Sequence, residues 1–159
     1  MKKILIFALV AIMSLSIFVG CDGQQMDGKP EYSFFTGETE IFPGHEAKDI
    51  LESLGDPITY DESPSCAFEG LDKVYAYGGF EIQTYTEDGI DYIYTITLKN
   101  DLVETPEGIA IGAARADVIA KYGENYTSVG ENIQYEAENC TLQFMFRNGM
   151  VSSIKYVAK

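Results

Sequence analysis

The chain has 159 residues, with 11 Lys+Arg against 25 Asp+Glu, a single His and no Trp, for a formal net charge of −14 at pH 7. Such a charge repels nucleic-acid phosphates and anionic membrane surfaces, so no nucleic-acid partner is expected. The length suits one domain or two small joined ones, and eleven Tyr and nine Phe supply the aromatic bulk common in strand-rich chains.

Met1-Lys2-Lys3 is basic, Ile4 to Val19 is almost wholly apolar, and Gly20-Cys21 follows. That order of basic, apolar and small residues reads as a secretory signal over residues 1–20, too short for a comfortable membrane span. Phe18-Val19-Gly20-Cys21 resembles the bacterial lipoprotein signal, in which the cysteine is lipidated and becomes the mature N-terminus. The resemblance implies an extracytoplasmic protein anchored to the bacterial cytoplasmic membrane by a lipid on Cys21, with enough acyl chains for stable attachment. Cleavage removes Lys2 and Lys3 and leaves a mature charge of −16. Residues 21–32 lack an apolar period and read as a lipidated tether.

Tyr32 to Thr36 is expected to form a leading strand, ended by Gly37. Ala47, Ile50, Leu51 and Leu54 fall on a helical stripe, with Gly44 at the N-cap position and Gly55 at the stop. Asp56-Pro57 prevents the helix from continuing. Val74 to Tyr77 reads as a strand. Phe80, Ile82 and Thr84 then alternate with Glu81, Gln83 and Tyr85, and Asp88-Gly89 makes a two-residue hairpin turn. Ile90, Tyr92, Tyr94, Ile96 and Leu98 return on one face, which places Tyr92 and Tyr94 in the core. Lys99 to Glu107 is a polar connector carrying Pro106. A second stripe, Ala114, Val118, Ile119 and Tyr122, has Gly112 before it and Gly123 after it. Ile133 to Glu136, then Leu142, Phe144 and Phe146, the turn Asn148-Gly149, and Met150, Ile154 and Tyr156 complete a second meander.

Gly44, Asp49, Ile50, Leu54 and Gly55 stand 68 positions before Gly112, Asp117, Val118, Tyr122 and Gly123. Tyr75, Ile82-Gln83 and Asp88-Gly89 return 60 positions later as Tyr135, Leu142-Gln143 and Asn148-Gly149. The spacing predicts two copies of one unit, residues 33–98 and 99–159, with eight extra residues in the first copy between about 58 and 72. The expected class is α+β: two tandem helix-plus-antiparallel-meander repeats forming one compact body, since a unit of about 60 residues is marginal alone.

The pattern Gly-x4-Asp-(Ile/Val)-x3-(Leu/Tyr)-Gly before an antiparallel meander resembles the superfamily of β-lactamase inhibitory protein and the SmpA/OmlA (BamE) envelope lipoproteins. Gly44, Ile50, Leu54, Gly55 and Pro57 carry the match. The layout also looks like that of Firmicutes-type lipoproteins. The resemblance implies a fold, and without Trp it does not extend to β-lactamase inhibition.

Charge divides unevenly: Ile41 to Leu98 holds 12 acids and 2 bases, whereas Ile109 to Lys159 holds 5 of each. An acidic face can dock a basic partner or simply keep the protein solvated. Glu87, Asp88 and Asp91 cluster at one hairpin tip and Asp61-Glu62 at another loop, but neither has the oxygen spacing of a calcium loop. No metal and no cofactor is expected. The insert around Ser63 to Gly70 offers Phe68 as an apolar anchor, and Tyr75, Tyr77 and Tyr85 are expected on an open sheet face, where Tyr often carries binding energy. Cys66 and Cys140 can pair outside the cytoplasm or stay as two buried thiols. A Cys66–His45 pair lacks an orienting third residue and an oxyanion hole, and no Ser-His-Asp order, phosphate loop, CxxC or histidine cluster is present. The sequence therefore points to no enzyme. It points to a protein-binding or scaffolding module that engages an envelope protein through Phe68, Tyr75, Tyr77, Tyr85, Glu87, Asp88 and Asp91. A small-ligand or cation-binding lipoprotein is the alternative.

Overall fold

The computed structural model describes residues 31–68 and 70–159. The expected signal segment, Cys21 and most of the expected tether lie outside the described residues. Ten strands and two short helices follow one another: β1 (Phe34–Thr36), β2 (Thr39–Ile41), α1 (Lys48–Leu54), β3 (Thr59–Pro64), β4 (Leu71–Ala76), β5 (Phe80–Glu87), β6 (Ile90–Leu98), α2 (Arg115–Tyr122), β7 (Thr127–Val129), β8 (Asn132–Glu136), β9 (Cys140–Arg147) and β10 (Met150–Ala158). β1 and β2 form a hairpin. The other eight build one sheet in the order β3-β4-β5-β6-β10-β9-β8-β7, antiparallel at every pairing.

The expected class, α+β built of two tandem helix-plus-antiparallel-meander repeats, is corrected by this architecture. The helices have seven and eight residues, too short to stand in water, and the protein is mostly antiparallel sheet. Gly55 and Gly123, at φ 73° and 84°, end the helices within about two turns. Polar stretches expected to be insert or loop instead form the edge strands β3 and β7. Every residue of β3 is exposed, and Asp61, Glu62 and Pro64 guard that edge against further pairing. The sheet runs without interruption across the expected boundary at residues 98 and 99, because β6 pairs with β10 from Thr95↔Val157 to Leu98↔Ile154.

The core lies between one face of the sheet and a layer made of the β1–β2 hairpin and the two helices. Phe80, Ile82, Ile93, Ile96, Leu98, Leu142, Phe144, Val151, Ile154 and Tyr156 are buried from the sheet side. Phe34 and Ile41 from the hairpin, Ala47 before α1 and Val118 of α2 close over them. Phe34 packs edge-on to Phe80 with ring centroids 4.9 Å apart. The N-cap of α1 is Ala47, not Gly44, whose N–H instead donates to Ile93 O at 2.7 Å. Tyr32, the expected start of the leading strand, stands just before β1: its N–H donates to Asn139 Oδ1 at 3.1 Å and its carbonyl accepts from Asn139 Nδ2 at 2.8 Å.

Candidate functional site

Strand alternation sorts the sheet residues into a covered face and an open face. On β5, Phe80, Ile82 and Thr84 are buried under the helical layer, so Glu81, Gln83 and Tyr85 stand on the open side. β6 breaks its alternation once. Gln83 pairs with Thr95, but Thr84 pairs with Ile93, leaving Tyr94 as an extra residue in a β-bulge. Beyond the bulge the register flips, so Ile93, Ile96 and Leu98 are all buried although their spacing is not a simple period of two. Tyr92 and Tyr94, expected in the core with Ile90 and Ile96, are instead half-buried with Tyr85, and Ile90 is 40% exposed.

The bulge gathers an aromatic patch on the open face. Tyr85 stacks on Tyr92 at 5.6 Å and meets Tyr94 edge-on at 6.0 Å. The β3–β4 connection folds Phe68 onto this group, stacked on Tyr85 at 4.5 Å and edge-on to Tyr94 at 5.1 Å. Ser65 shapes that connection: its Oγ accepts from Phe68 N at 3.0 Å, and its N–H donates to Gly70 O at 3.1 Å. Partial burial, with the Glu87 carboxylate and Tyr92 nearby, pushes the Tyr85 hydroxyl above its ordinary range and keeps it neutral.

The other expected binding residues are dispersed. Tyr75 pairs with Ile82, and Tyr77 stacks on Phe80 at 5.0 Å, so both lie on the covered face and not with Tyr85. Tyr77 stands beside the end of α1, and Tyr75 packs against Tyr60 of the edge strand at 5.0 Å. Glu87 is exposed at the end of β5, and Asp88-Gly89 forms the turn with φ 51° and 79°. Asp91 is engaged structurally: Lys73 Nζ reaches its Oδ2 at 2.5 Å and Thr86 Oγ1 donates to its Oδ1 at 2.7 Å. Partial burial pushes the Asp91 carboxyl up, but the bonds from Lys73 and Thr86 outweigh it and hold the group below its usual range.

A shallow groove of about 480 Å³ lies further along the open face, across β5, β6 and β10. Gln83, Thr95, Thr97, Ser153 and Lys155 line it, with the Glu81–Lys99 ion pair of 3.0 Å at its rim. Sequence reasoning passed over Lys155 and these hydroxyl and amide residues because polar side chains on one face of a strand look like ordinary solvation. Among the described residues no group of three or more His, Cys, Asp and Glu is placed to hold a metal ion. Cys66 is exposed, Cys140 is fully buried, and both are free thiols. The disulfide expected as one alternative is not formed, and neither is the pair of buried thiols expected as the other.

No family model and no curated protein matches the chain. A solved structure, that of an extracellular protein containing an SCP domain from Bacillus anthracis str. Ames, is similar in fold, with a TM-score of 0.53 at 16% sequence identity. The match covers 74% of this chain and 44% of that one, so this chain spans less than half the length of its structural neighbour. The likeness concerns fold alone. With the eight-stranded sheet, it overturns the resemblance to β-lactamase inhibitory protein and to SmpA/OmlA (BamE). The glycine-and-aspartate pattern that carried that resemblance marks two short glycine-stopped helices, a local feature that many folds can contain.

Proposed function

We propose that the chain is an extracytoplasmic binding module, held to the membrane by a lipid on Cys21, that engages an envelope protein through the open face of its sheet. The observation that carries this reading is the patch of Phe68, Tyr85, Tyr92 and Tyr94, which stays half-buried on the side of the sheet that no layer covers among the described residues. Tyr is favoured at interfaces because it brings a large rigid surface and a polar tip at low entropic cost. Glu87 and Asp88, on the turn beside the patch, favour a partner with basic groups at the rim. The extracytoplasmic address is supported by the basic, apolar and small order of residues 1–21 and by the description of the structural neighbour as an extracellular protein. Among the described residues, no set on the open face is arranged as a nucleophile with its base, and we read the face as a binding surface.

The test is capture from native envelope extract on the immobilised chain from Asp22 onward. A specific protein retained by the parent, lost when Tyr85 and Tyr92 are changed to Ser, and kept when Tyr75 and Tyr77 are changed to Ala supports the reading. Retention that is indifferent to Tyr85 and Tyr92 counts against it.

A further inference from the structure

Four basic side chains among the described residues, Lys48, Lys121, Arg147 and Lys155, have neither an ion pair nor a hydrogen bond. Three of them are exposed; Lys155 alone is half-buried, in the groove of the open face. Its neighbours follow from the register. Lys155 pairs with Thr97 on one side and Gln143 on the other, and Thr97 pairs in turn with Glu81. The next row carries Thr95 paired with Gln83. Among the described residues, the side chains of Gln83, Thr95, Thr97 and Ser153 are likewise unengaged in hydrogen bonds, whereas Glu81 is neutralised by Lys99. The groove thus holds several neutral groups that both donate and accept, and one free cation. Its volume falls within the range of about 300–1,000 Å³ typical of ligand sites.

We propose that this groove binds a carbohydrate chain bearing sparse carboxylates, with Lys155 taking a carboxylate and Gln83, Thr95, Thr97 and Ser153 taking hydroxyls. Hydroxyl-rich ligands need partners that donate and accept at once, as amides and hydroxyls do. A single cation in a strongly acidic chain favours one isolated negative group and repels a dense polyanion. Tyr85 lies two residues along β5 from Gln83 on the same face, so a ring borders the groove where a sugar's C–H face can rest. A peptide strand is the less suitable occupant: strand addition uses unpaired backbone at a sheet edge, and the centre of this sheet has none.

The experiment is calorimetric titration of the chain from Asp22 onward with a tetrasaccharide of alternating neutral sugar and uronic acid, and with its carboxyl-reduced form. The expected result is binding of both, with the acidic form preferred by roughly tenfold, the worth of one charge-assisted hydrogen bond. Lys155→Met should abolish that preference, so that the acidic and reduced forms bind alike, while Lys155→Arg should keep it. Gln83→Leu with Thr97→Val should weaken both sugars, with thermal melts confirming that each variant folds. Absence of binding at millimolar sugar overturns the proposal, as does a preference that survives Lys155→Met. Tighter binding of an acidic peptide than of either sugar overturns it too. None of these outcomes depends on the capture experiment, whose variants alter the aromatic patch.

Discussion

Phe68 lies nearly parallel to Tyr85, with ring centroids 4.5 Å apart and planes 28° apart. This contact fastens the β3–β4 connection to the open face, so a loop residue and a strand residue act as one surface. Phe68→Ala removes the stack and the edge contact with Tyr94. The variant should lose about 1–2 kcal/mol of stability in urea unfolding, and Phe68→Leu less. Unchanged stability in Phe68→Ala would show that the loop does not rest on the sheet in solution.

The Lys73–Asp91–Thr86 cluster ties β4 to the β5–β6 hairpin. Because the folded-state pKa of Asp91 is depressed, its contribution is present above the unfolded carboxylate pKa of about 3.9 and is lost as pH falls through the folded value. Asp91→Asn should cost about 1–2 kcal/mol near neutral pH, the scale of hydrogen bonds to a charged group. The gap between parent and variant should close as the pH falls below the carboxylate range. A gap that is constant with pH would contradict the assignment.

Cys140 is fully buried, and burial is the main reason its thiol is pushed up to about 12. Cys66 is exposed on the loop beside Phe68. The chain from Asp22 onward should therefore take one alkylating label at pH 8 when native, at Cys66, and two when unfolded. A reducing agent should leave its melting temperature unchanged. Equal labelling of both cysteines in the native state would contradict the buried position of Cys140.

The Tyr156 hydroxyl is buried beside the Tyr122 hydroxyl and makes no hydrogen bond of ordinary geometry among the described residues. Burial raises its pKa well above the ordinary value, so ionisation costs the fold nothing below the unfolded pKa of about 10 and destabilises it as pH rises past that value. Tyr156→Phe should leave neutral-pH stability unchanged or raise it by about 1 kcal/mol, since an unsatisfied polar group is removed. Above pH 10 the variant should outlast the parent. A loss greater than about 1 kcal/mol at neutral pH would mean the hydroxyl is satisfied in solution.

Local features of the fold were legible in the chain, and long-range ones were not. Asp88-Gly89 and Asn148-Gly149 mark turns because their backbones take positive φ, which only a few residues tolerate. Gly55 and Gly123 mark helix ends for the same reason. The weight of sheet over helix was hidden because Thr59–Pro64 and Thr127–Val129 are polar edge strands, whose pairing is set by the neighbouring strand and not by their own hydrophobicity. The make-up of the open-face aromatic patch was hidden by one bulged residue of β6. Strict alternation put Tyr92 and Tyr94 in the core, whereas the bulge at Tyr94 turns both to the open face. Ile93, Ile96 and Leu98, spaced three and then two, carry the trace of that bulge in the sequence. Tyr75 and Tyr77 went to the wrong face because the register of β4 against β5 is a tertiary fact.

Site-specific photo-crosslinking in the native envelope can tell the two faces apart, because Tyr85 and Tyr75 sit on neighbouring strands and opposite faces of the sheet. A photoreactive phenylalanine analogue would replace Tyr85, Tyr92, Tyr75 or Tyr77, one at a time. One discrete adduct with an envelope protein is expected from positions 85 and 92, and none from 75 and 77. An adduct from 75 or 77 with none from 85 and 92 would contradict the open face as the binding surface.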